Sequence, residues 1–156
     1  MSSLNTLLFA TDFSKGSAKA SSIATTLAQL SGAKLYVIHV ASLVDSTIYW
    51  QDPLLASGVD PGQLNGEIVK EAEKKLSEFV AINFQSDDEN GLKDVESRVV
   101  SGGVAYEIII GEAQRVGADM IILGTHGRSG LERVLVGSTA ERVVRSSPIP
   151  VLTSRG

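Results

Sequence analysis

Apolar and polar positions along this chain follow two periods that alternate in blocks. Residues 4–10 (LNTLLFA) hold a short apolar run of buried-strand length. From Ser14 the spacing lengthens to that of a helix, with Ala20, Ile23, Leu27 and Leu30 on one face. Ser14 is placed to cap this helix and Gly32 to end it. Residues 34–40 (KLYVIHV) are rich in β-branched and aromatic side chains and predict a second strand. Strand, helix and strand with short links form a βαβ unit, so the two strands run parallel.

Residues 42–62 show no period and contain two prolines and two glycines, which predicts an excursion loop. Tyr49 and Trp50 lie inside it, either packing down to anchor the loop or serving as a lid or partner contact. Residues 63–84 return to helical spacing, with Leu64, Ile68, Ala72, Leu76, Phe79 and Val80 on one side. Lys70, Lys74 and Lys75 alternate there with Glu71, Glu73 and Glu78, as on a solvated face held by i,i+4 pairs. Residues 87–91 (DDENG) read as a solvated turn, without the spaced ligands of a calcium loop. Residues 94–101 alternate Val95 and Val99 with Glu96 and Arg98, the pattern of an edge strand wet on part of its surface. Gly102 and Gly103 turn the chain into a helix carrying Val104, Ile108, Ala113 and Val116, closed by Gly117. Residues 118–123 (ADMIIL) are the most continuously apolar strand. A last helix at Ser138–Ser146 and a last strand at 149–153 complete the series.

Five strands linked by helical crossovers, with right-handed connections, predict one doubly wound parallel sheet covered by helices on both faces. The most apolar strands, near residues 7 and 121, belong side by side in the middle, which gives the order 3-2-1-4-5 and one domain over residues 1–156. Ligands in such sheets bind at the carboxyl ends of the strands where the order reverses. Here that is between the first and fourth strands, where Asp12 and Gly124 fall.

Composition narrows the function. The chain has 156 residues, 43% hydrophobic and 21% charged, with net charge −4 and no Lys/Arg cluster, which argues against a general nucleic-acid binder. It has no cysteine, and its two histidines carry no further ligand pattern, so neither disulfides nor a zinc site is expected. No basic head with a long apolar stretch opens the sequence, and no apolar run nears the ~18–20 residues that span a bilayer. A cytoplasmic protein without membrane insertion is the expectation.

Chemistry concentrates in residues 124–139 (GTHGRSGLERVLVGST), spaced as Gly124-x2-Gly127-x9-Gly137-Ser138. A strand ending in glycine can bring backbone N–H groups close to an anion, and a helix opening at Ser138 adds unpaired N–H groups and the positive end of its dipole. Two such turns joined by one arm can close around a polyphosphate. The glycines can equally serve turn geometry alone. No Gly-x4-Gly-Lys-Ser/Thr loop is present, and no G-x-G-x-x-G fingerprint.

These residues, together with LLFATDFS at Leu7 to Ser14, resemble the universal stress protein family, whose ATP-binding members carry G-x2-G-x9-G-(S/T). The resemblance runs over essentially the whole chain, more weakly between about residues 42 and 92. It implies a five-stranded parallel sheet in a homodimer. It further implies a cofactor-binding set of Ala10, Thr11, Asp12, Val40, Leu123, Gly124, His126, Gly127, Arg128, Gly137, Ser138 and Thr139. Asp12 would hold a ribose hydroxyl or an adenine edge, since a carboxylate suits a sugar and repels phosphate; its other role is to cap the first helix. Ala10 leaves room for a flat base, Val40 offers backbone groups to adenine, and Leu123 walls the pocket. Arg128 pairs with phosphate or stands as a solvated loop charge, and His126 reaches phosphate or bonds within its own loop. Ser138 and Thr139 cap the last helix and face phosphate.

The ligand expected is ATP, with Mg²⁺ as an accompaniment, or else AMP, ADP or a cyclic nucleotide. No positioned general base stands out, so a regulatory protein with a protein partner is expected rather than an enzyme. A nucleotide-hydrolysing or transfer enzyme and a nucleotide-free interaction module are the rivals. The homodimer is expected to form through Ile149, Pro150, Val151, Leu152 and Thr153, an apolar edge with unpaired backbone groups.

Overall fold

Strands and helices alternate along the residues that the computed structural model describes, which are 3–45, 51, 58, 60–85, 91–125 and 137–155. In chain order they are β1 (Thr6–Ala10), α1 (Lys15–Ser31), β2 (Lys34–Ala41), α2 (Pro61–Asn83), β3 (Val95–Ser101), α3 (Ala105–Val116), β4 (Met120–Gly124), α4 (Ser138–Ser146) and β5 (Val151–Ser154). The strands form one parallel sheet in the order β3-β2-β1-β4-β5, as the sequence predicts. The aromatic pair Tyr49 and Trp50 and the acidic turn at 87–90 lie outside the described residues.

Alternate residues of the central strands face opposite helical layers. Leu7 and Phe9 of β1, Leu35 and Val37 of β2 and Ile122 of β4 pack with Ala20, Ala24 and Ala28 of α1 and Leu76, Phe79 and Val80 of α2. Leu8, Ala10, Ile38, Ile121 and Leu123 pack on the other face with Ile109 and Ala113 of α3 and Ala140 and Val143 of α4. β1 carries fully buried side chains at Leu7, Leu8 and Phe9, which is why it reads as a continuous apolar run.

Two predicted helix faces are corrected in part. On α1, Ala20 is buried and Leu27 packs against the core as predicted, but Ile23 and Leu30 are exposed, Leu30 at 81%, and the buried row is Ser17, Ala20, Ser21, Ala24 and Ala28. Small side chains win this face because they let the helix backbone approach the sheet closely. On α3, Ala113 is buried and Val116 packs against the core as predicted, but the second buried position is Ile109, one residue on from the predicted Ile108, and Val104 is the exposed N-cap. α2 starts at Pro61, with Asp60 as its N-cap accepting from the Gly62 N–H, so the helix begins inside the predicted loop.

Gly102 and Gly103, with φ of 81° and 80°, provide the left-handed turn between β3 and α3. β3 forms one edge of the sheet and exposes Glu96, Ser97 and Arg98. Lys34 pairs there with Glu96 and with Asp94 at 3.8 Å, and Arg98 reaches Glu112 at 3.5 Å. These charges discourage strand addition on that side. Among the described residues no helix is long and apolar enough to cross a membrane.

Candidate functional site

The chain leaves β1 through a turn built almost wholly from its own polar groups. The Thr11 N–H continues the ladder to the Ile38 carbonyl (2.9 Å). The Thr11 hydroxyl oxygen accepts from the Phe13 N–H (3.0 Å) and from the Ser17 hydroxyl (2.7 Å). Asp12 Oδ1 accepts from the Ser14 N–H (2.9 Å), and Ser14 Oγ in turn accepts from the Ser17 N–H (3.2 Å) as N-cap of α1. Asp12 is therefore not the cap of α1 but the residue that closes the turn before it. Phe13 takes φ of 63°, the left-handed conformation that non-glycine residues seldom adopt.

At the end of β4, Gly124 lies against the start of α1. A β-carbon there would come within 2.9 Å of the backbone carbon and oxygen of Gly16. Thr125, buried, donates its N–H to the Ser154 carbonyl (2.9 Å), and its own carbonyl accepts from the Gly137 N–H. That bond brings Gly124 and Gly137 of the motif together. Gly137 is the N-cap of α4 and no side chain caps that helix, so the prediction that Ser138 and Thr139 do so is corrected. They occupy the first turn, whose N–H groups have no intrahelical acceptor.

Both turns open into one cleft of about 840 Å³ at the carboxyl ends of β1 and β4. Nine predicted residues line it: Ala10, Thr11, Asp12, Val40, Leu123, Gly124, Gly137, Ser138 and Thr139. His126, Gly127 and Arg128 lie outside the described residues.

The cleft also includes residues the sequence reading missed. His39 and Phe13 are two; the signal for His39 was a single polar residue inside an otherwise apolar strand. α2 supplies Leu64 and Ile68 beside Glu67, Glu71 and Lys75. The sequence predicts a solvated face for this charged row. The row does hold the expected i,i+4 pair, Lys75 to Glu71 at 3.8 Å, but at the cleft wall.

A sheet of this order, with a glycine-framed cleft at its reversal point, has known counterparts. The universal stress protein family profile matches residues 4–155. The chain belongs to that family. A universal stress protein of Methanocaldococcus jannaschii is 34% identical over 146 residues, covering 94% of this chain and 79% of its own length. The solved structure of another universal stress protein from that organism is 25% identical, with a TM-score of 0.78 over 99% of this chain and 98% of that one. A universal stress protein solved in complex with cAMP is also 25% identical, with a TM-score of 0.60 over 99% of this chain and 98% of its own.

Proposed function

We propose that this universal stress protein binds an adenine nucleotide in the cleft between β1 and β4 and acts as a nucleotide-responsive regulator of a protein partner. One observation carries the reading. A single cleft of about 840 Å³ is lined by the apolar Ala10, Val40 and Leu123, by the carboxylate Asp12, and by the uncapped first turn of α4. Its size is within the range of small-molecule sites. The apolar residues suit a base, Asp12 suits ribose hydroxyls, and the leading N–H groups of Ser138, Thr139 and Ala140 suit phosphate. The family member in complex with cAMP is consistent with a nucleotide ligand.

ATP, accompanied by Mg²⁺ on its phosphates, is the ligand proposed first, with AMP, ADP and cyclic nucleotides as the alternatives. Calorimetric titration of the folded protein with ATP, ADP, AMP, cAMP and adenosine tests this directly, and mass spectrometry of the denatured protein tests for a co-purified ligand. The reading requires at least one adenine nucleotide to bind in the micromolar range, and no heat with any of them at millimolar concentration would overturn it. Sustained turnover of ATP near ~1 per second would instead make the protein an enzyme.

A further inference from the structure

We infer that His39 is a positioning residue for Asp12, holding the turn on both sides of that carboxylate. His39 lies on β2, is 8% exposed, and lines the cleft. Its Nδ1 is 2.8 Å from the Thr11 carbonyl oxygen. A carbonyl oxygen only accepts, so Nδ1 carries the proton and donates it. The imidazole also stacks on the Phe13 ring, with centroids 4.2 Å apart and planes 27° from parallel. One ring therefore grips the residue before Asp12 by a hydrogen bond and the residue after it by stacking.

Phe13 needs such a partner. Its left-handed backbone (φ 63°) is unfavourable for a residue with a β-carbon and persists only where the surroundings over-determine it. Those surroundings are His39 on one side, Phe79 of α2 at 6.0 Å between centroids, and the Phe13 N–H bond to the Thr11 hydroxyl. Phe79 in turn packs with Phe9 and Phe84, so the strained turn is tied to the main core. With Thr11 and Phe13 both fixed, the Asp12 carboxylate has its direction set before any ligand arrives. Such preorganisation lowers the ordering cost of binding.

The affinity arm of the test rests on the nucleotide reading; the exchange arm does not. His39→Phe keeps an aromatic ring and removes the donor, and His39→Asn restores an N–H near Nδ1. In the His39→Phe variant, adenosine affinity falls about 10-fold, the scale of one lost hydrogen bond. On an Asp12→Ala background the same change has less than about 2-fold effect, because a residue acting through Asp12 has nothing left to position. His39→Asn recovers part of the affinity. Hydrogen exchange of the Ser14 amide, which is bonded to Asp12 Oδ1, accelerates about 10-fold in His39→Phe and slows again in His39→Asn. Phe13→Ala attacks the same unit from the other side and gives the same non-additivity should His39→Phe not fold.

An unchanged Ser14 exchange rate in a folded His39→Phe protein overturns the inference. So does a full 10-fold loss on the Asp12→Ala background. If the wild-type protein binds neither adenosine nor ATP, the nucleotide reading falls by itself, and the Ser14 exchange still decides the role of His39.

Discussion

Gly124 shows how a motif residue can serve two ends. Its spacing marks it as a place for close backbone approach, and the approach is real, but the neighbour is the backbone of Gly16 and Ser17, which a β-carbon at Gly124 would meet at 2.9–3.0 Å. A methyl group at Gly124 meets backbone rather than a flexible side chain, so α1 or β4 must shift. Gly124→Ala should cost about 1–3 kcal/mol, the usual range for overpacking, measured by urea unfolding; an unchanged midpoint would show that the contact yields freely. Asp12 carries a separate expectation. Asp12→Ala should weaken adenosine and ATP alike, because the carboxylate is assigned to the nucleoside. A variant that binds ATP more tightly would reverse the orientation of the ligand. Asp12 falls at a strand end that is legible from a run of apolar residues, whereas Val40 and Leu123 were named by the resemblance to the family. The sequence reading missed His39 and Phe13, since a stack between β2 and the β1–α1 turn joins positions 39 and 13, and no local period records it.

On the scale of elements, α1 separates hydropathy from packing. Ile23 and Leu30 share helical spacing with Ala20 and Leu27, yet both are exposed, and small residues fill the row that faces the sheet. Ala24 has no exposed surface, so Ala24→Leu should destabilise by about 1–3 kcal/mol through overpacking. Leu30→Ala, at a position 81% exposed, should stay within about 0.5 kcal/mol. Thermal melts of the two variants compare them directly; equal losses would return α1 to the predicted face. At the far edge, the Pro150 and Ser154 carbonyls accept from Ile121 and Thr125 of the neighbouring β4 segment. The backbone groups of the alternate residues Val151 and Thr153 therefore point away from β4. Val151 also packs against the second core cluster, so Lys there would disturb packing as well as pairing. Thr153 is exposed, and Thr153→Pro removes only an outward N–H. If the chain dimerises through this strand, Thr153→Pro should shift dimer to monomer with little change in unfolding midpoint.

For the whole molecule, the two sheet edges are treated differently. β3 exposes Glu96 and Arg98 and carries the Lys34 and Arg98 ion pairs, whereas β5, entered from Pro150, presents Val151, Leu152 and Thr153. Strand addition is therefore expected at β5, in an isologous homodimer. Sedimentation at micromolar concentration should give a species near twice 16.5 kDa, and a clean species at 16.5 kDa would exclude the dimer.

The sequence by itself determined the strand and helix series, the parallel order 3-2-1-4-5 and the strand-end residues of the cleft. Those follow from periodicity, from glycine at fixed offsets, and from the handedness of crossovers, which are local properties or rules on connection. Tertiary structure alone decided that small residues of α1, rather than Ile23 and Leu30, and Ile109 of α3, rather than Ile108, take the buried positions, because closeness of approach depends on the shape of the facing sheet. It also decided that Glu67, Glu71 and Lys75 of α2 border the cleft, and that His39 and Phe13 grip the turn around Asp12. These are contacts between residues far apart in the chain, and only the packed layers bring them within reach.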